Sequence, residues 1–84
     1  MQQIRKYPLE GFVNRFQMPR NAVLLDVQLQ RNVPCLWALV DVEQSETPYT
    51  VQLLPTGELF AKSPGMYIAT VQFSSGLVFH AFVL

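Results

Sequence analysis

VLLDVQLQRNVPCLWALVDV, residues 23–42, reads as two β-strands joined by a turn. In its first half Val23, Leu25, Val27 and Leu29 alternate with Leu24, Asp26, Gln28 and Gln30, the period-two pattern of a half-buried strand. Arg31-Asn32-Val33-Pro34 interrupts the pattern: Asn tolerates a left-handed backbone and Pro has no N–H to give a ladder, so this is a hairpin loop. Cys35–Val42 is the return strand. Pairing Gln30 with Cys35 gathers Val23, Leu25, Val27, Leu29, Leu36, Ala38, Val40 and Val42 on one wholly apolar face. The other face is mixed, and in this register it sets Gln28 across from Trp37.

Working outward, Met66–Phe73 and Leu77–Leu84 form a second hairpin around Ser74-Ser75-Gly76. Pairing Ser74 with Leu77 puts Tyr67, Ala69, Val71, Phe73, Val78, His80, Phe82 and Leu84 on one face, with His80 opposite Val71. The other face then carries Gln72 across from Phe79. Ile4–Tyr7, stopped by Pro8, and Phe12–Met18 are two further strands, and Tyr49–Leu54 another. Glu43–Pro48 is the polar connection, and Pro55–Glu58 and Ser63–Gly65 are turns by composition. The expectation is one all-β domain over residues 1–84: a small antiparallel sandwich or partly closed barrel of about six to seven strands, its two oily faces laid together.

Composition narrows the function classes. Half of the 84 residues are apolar and only 14% are charged, roughly half the usual charged share, which argues against disorder. So many apolar side chains overfill a core this thin and point to a homo-oligomer. Lys+Arg and Asp+Glu balance at six each, and no basic stripe exists to bind long nucleic acid. The start MQQIRKYPLE lacks a secretion signal, and the longest apolar run, Cys35–Val40, is too short for a membrane span. A single cysteine fits a reducing cytoplasm.

Few residues here suit chemistry. Cys35 and His80 are the only thiol and imidazole, short of the donors a zinc site needs, so neither a metal nor another cofactor is expected. As a nucleophile–base pair they lack an orienting third group, and Asp26 with Asp41 as a carboxylate dyad would more simply keep a face wet. The four glycines fall in separate turns, not in a phosphate-cradling loop. The expectation is therefore no enzyme. The candidate ligand-binding residues are Trp37 and Phe79 as stacking plates, Gln28 and Gln72 as amide partners, and Arg20 and Arg31 in turns as phosphate donors. The same aromatics also suit an interface between copies.

The segments Lys6–Pro8, Met18–Gln28, Pro34–Asp41 (PCLWALVD), Thr56-Gly57, Tyr67–Gln72 (YIATVQ) and Val78–Phe82 (VFHAF) together resemble a family of short phage and prophage proteins. Val83-Leu84 stands where that family usually closes with an acidic residue. The resemblance implies a phage origin and a role in host takeover. One class of such proteins is the molecular sponge, an oligomer sequestering a nucleotide second messenger of antiviral defence in the host cytoplasm. A module that inhibits a host protein and a minor virion or assembly component are the alternatives.

Overall fold

In the computed structural model, which describes residues 1–84, Arg31 and Asn32 both take positive φ, 52° and 65°. This is the two-residue turn whose twist matches that of a hairpin. Gln30 accordingly pairs with Val33, and β3 (Val23–Gln30) returns as β4 (Val33–Asp41). The expected four-residue loop and the Gln30–Cys35 pairing are thus displaced by two positions. Pro34 enters the strand because its missing N–H falls where the ladder to β1 ends, while its carbonyl still accepts from the Leu9 N–H at 2.8 Å. β1 (Gln2–Pro8) lies antiparallel on the other side of β4, giving a three-stranded sheet in the order β1-β4-β3.

A displacement of two keeps every side chain on its face, but a bulge then intervenes. The register shifts between Leu24 and Asp26, which leaves Leu25 unpaired and 47% exposed. Beyond it Leu24 turns inward and Val23 outward, against the expected alternation. The Asp26 carboxylate fastens the bulge by accepting from the Val27 N–H at 2.8 Å.

The second sheet has the order β2-β5-β7-β6, with β2 (Val13–Pro19), β5 (Glu46–Pro55), β6 (Met66–Gln72) and β7 (Val78–Val83), all antiparallel. The polar connection after β4 is shorter than expected, since β5 already begins at Glu46. The β6–β7 hairpin also differs from the expected register. Phe73 donates to Leu77 O at 2.8 Å and Gly76 to Phe73 O at 2.9 Å, with Gly76 at φ 94°. That is a three-residue loop closed by a left-handed glycine, not a two-residue one. Val71 therefore pairs with Phe79 and Thr70 with His80. A slip of one residue exchanges the faces: Phe79 points into the core and His80 out of it. Here too a bulge interrupts the strand, between Tyr67 and Ala69.

The sheets form a sandwich, not a closed barrel. At one margin β3 and β6 run alongside each other; at the other, β1 and β2 end their sheets. The core between them joins Leu36, Ala38 and Val40 of β4 to Val51, Leu53, Ala69, Val71 and Ala81 of the second sheet. Complete burial of a side chain such as Leu36 (0% exposed) contributes about 1.5–3 kcal/mol. Tyr7 of β1 packs on Phe16 of β2, ring centroids 5.1 Å apart, yet its buried hydroxyl has no hydrogen-bond partner. Buried Asn14 ties down the link between these strands, accepting from the Glu10 N–H at 2.7 Å and donating to Gly11 O at 3.3 Å. There is no helix, so none is long and apolar enough to cross a membrane.

Candidate functional site

Trp37 is the side chain that the β4 register brings to the middle of the outer face of the three-stranded sheet. Its neighbours are Lys6 on β1 and Asp26 on β3, so a cation and an anion flank one half-buried indole. Their outer groups are held in place. Lys6 Nζ donates to Gln30 Oε1 at 2.8 Å, reaching across β4. Gln28 Nε2 donates to Asp26 Oδ2 at 2.7 Å. Between these bridges lies Cys35, paired with Pro8 and Gln28. It faces outward but is only 2% exposed, its thiol donating to Val33 O at 3.5 Å. Next along the strands runs an apolar row, Ile4–Leu39–Val23, in which Ile4 and Val23 are 61% and 53% exposed.

The six residues expected to bind a ligand do not gather at this point. Gln28 stands opposite Cys35, not Trp37, though its bond to Asp26 keeps it beside the indole. Arg31 is at the tip of the β3–β4 turn, one residue beyond Gln30. Arg20 lies at the other end of β3, where its Nε donates to Ser45 Oγ at 3.1 Å. Phe79 is on the inner face, its ring 5.5 Å from Phe73 and 6.0 Å from Phe12. Gln72 is exposed on the outer face of the other sheet, opposite Val78. The Gln72–Phe79 pair expected from the sequence does not form.

Rearranged, too, are the residues weighed for chemistry. Cys35 and His80 occupy the outer faces of opposite sheets and cannot act on one another. Asp26 and Asp41 are separated along β4, since Asp26 pairs with Trp37 and Asp41 with Gln2. The Asp41 carboxylate accepts from the Glu43 N–H at 3.1 Å and from the Met1 amine at 3.3 Å, which holds it below the usual carboxylate range. The amine is correspondingly raised, chiefly by its 2.9 Å bond to Glu43 and then by Asp41.

Two features escaped the sequence reading. On the outer face of the four-stranded sheet, His80 is bracketed by hydroxyls, with Nε2 2.7 Å from Thr56 Oγ1 and Nδ1 3.0 Å from Thr70 Oγ1; Tyr67 extends the chain at 2.8 Å. Where β3 and β6 meet, a mostly apolar cleft of about 820 Å³ opens between Leu24, Tyr49, Ile68 and Leu84. Both depend on the one-residue slip and the bulges, which hydropathy alternation does not report. Lys6 was legible only through its pairing with β4.

All 84 residues, 1–84, match the family model described as a domain of unknown function, DUF7352. The chain belongs to the DUF7352 family. No curated protein and no solved structure matches this DUF7352 sequence.

Proposed function

We propose that this DUF7352 protein is a phage-encoded, non-enzymatic capture protein of the host cytoplasm, a homo-oligomeric sponge for a nucleotide second messenger. The observation that carries the reading is Trp37, an outward indole set between a bound cation and a bound anion. A planar base stacks on such a ring and gains about 1–3 kcal/mol from it. Gln28 and Gln30 offer amide groups for a base edge, and Lys6, with Arg31 at the adjacent turn, offers partners for phosphate. Nothing in this arrangement needs to turn the ligand over; holding it is the function. Arg20, Gln72 and Phe79, which do not share this face, have no part in it.

The test is thermal unfolding with a panel of cyclic and linear nucleotides, for the wild type and for Trp37→Ala. A ligand at ~100 times its dissociation constant adds about 2.7 kcal/mol of stability, and that gain should vanish in the variant. A wild type that responds to no nucleotide, and retains none from infected cells, contradicts the proposal. The apolar row Ile4–Leu39–Val23 favours a second reading, a module that inhibits a host protein. It predicts a stoichiometric protein partner, lost on Leu39→Lys, in place of a small molecule.

A further inference from the structure

We infer that β1 is a self-pairing edge, through which two copies of this chain join into one continuous six-stranded sheet, three strands from each. The inference rests on the homo-oligomer of the proposed function, to which it gives an interface, and requires no ligand. It starts from which backbone groups of β1 are already used. Val42 donates to Met1 O at 3.0 Å and Leu9 to Pro34 O at 2.8 Å, so the odd positions of β1 face β4. In an antiparallel ladder the even positions then turn their N–H and C=O groups away. These are Gln2, Ile4 and Lys6, on a strand with no neighbour on that side.

A second copy satisfies all of them in one register. Centred on Ile4, a two-fold antiparallel pairing sets Ile4 against Ile4 and Gln2 against Lys6, and each facing pair exchanges two backbone bonds. The side chains agree with it. Gln3 of one copy meets Arg5 of the other, and these two side chains already bond to each other at 2.8 Å within one chain. The exposed Ile4 side chains cover one another and link the two apolar rows. Pro8, which has no N–H, lies beyond the paired region. The neighbouring register, centred on Arg5, instead opposes two guanidinium groups and draws Pro8 into the ladder. Like charges set directly opposite are destabilising.

The remaining edges are guarded against such pairing. On β2, Leu53 donates to Phe12 O at 2.9 Å, so the outward donors are Val13, Arg15 and Gln17. Pairing centred on them would oppose Arg15 to itself, a charged edge of the kind that blocks association. β3 and β6 lie alongside each other, and each is broken by a bulge.

Sedimentation equilibrium of the untagged chain over a concentration series, with Ile4→Lys and Ile4→Glu beside it, tests the inference. The wild type should reach twice the 9.6 kDa of one chain, and each variant alone should stay at the single mass. An equimolar mixture of the two variants should recover the double mass, because opposite charges then meet across the axis. Ile4 is 61% exposed, so both variants should retain cooperative melting. Amide exchange gives the residue-level reading: Gln2, Ile4 and Lys6 protected in the wild type and open in Ile4→Lys. A wild type that stays monomeric, or that binds an extended segment of another protein along β1 in place of its own copy, overturns the inference. So does a dimer that survives either variant, or a mixture that stays monomeric. A monomeric wild type would also remove the oligomer from the proposed function, whereas nucleotide capture at Trp37 stands or falls on its own thermal-unfolding test.

Discussion

The two hairpins, β3–β4 and β6–β7, are built alike and present opposite results. Each has an edge strand broken by one bulge, at Leu25 in one and Ile68 in the other. Each carries an aromatic residue on its inner strand, Trp37 at the middle of β4 and Phe79 near the start of β7. Yet Trp37, half-buried, lies on the outer face of its sheet while Phe79 lies on the inner face against the core. The difference comes from the turns. Arg31-Asn32 closes the first hairpin with two residues in positive φ, and Ser74-Ser75-Gly76 closes the second with three. One extra loop residue, read down a period-two ladder, decides which aromatic packs between the sheets and which lies on the outer face.

The largest expected effect comes from replacing each aromatic in turn. Phe79→Ala removes a ring packed on Phe12, Phe73 and the core; its cost, by urea unfolding, should be about 2–4 kcal/mol. Trp37→Ala should cost less, about 1–2 kcal/mol, since the half-buried indole lies on the outer face and outside the core between the sheets. Equal losses would break the comparison.

Two glycines sharpen it next. A Cβ on Gly65, at φ 104° just before β6, would run into the backbone of Val83, so Gly65→Ala should cost about 2–3 kcal/mol. At Gly76 a Cβ meets open space, and Gly76→Ala should cost only about 1 kcal/mol, for the left-handed backbone alone. Both are read from shifts in the urea midpoint.

Smaller changes probe the supports of each hairpin. Asp26→Ala removes the acceptor that fastens the Leu25 bulge and should cost about 1 kcal/mol. Tyr7→Phe deletes the unpartnered buried hydroxyl and should stabilise by about 0.5–1 kcal/mol. The smallest effect is the pH dependence of the Met1–Asp41–Glu43 cluster. The raised amine contributes stability that is present below its unfolded value, about 8, and fades as the pH rises through its higher folded value. The lowered Asp41 contributes stability present above its unfolded value, about 4, and lost as the pH falls through its lower folded value. All these groups are exposed, so both losses should be slight.

Much of the architecture was legible in the residues, because period-two alternation and turn composition are local. The strands, the two hairpins and the laying of oily faces together follow from Val27, Leu36, Val71 and their neighbours. What alternation does not encode is how many residues a loop contains and where a strand carries an extra one. Those two quantities moved Gln28 from Trp37 to Cys35, turned Phe79 inward and brought His80 out between Thr56 and Thr70. Of the site, Trp37 with Gln28 beside it survives, because a register displaced by two conserves its face. Arg20 does not, because the length of β3 separates it from Arg31.

The most direct test of this account uses the single tryptophan of the chain. Acrylamide quenching of the native wild type should be a substantial fraction of that of the unfolded chain, with red-shifted emission. The double variant Trp37→Phe, Phe79→Trp should emit further to the blue and resist the quencher until it unfolds. The reverse order, a protected Trp37 and an accessible tryptophan in place of Phe79, would contradict the account.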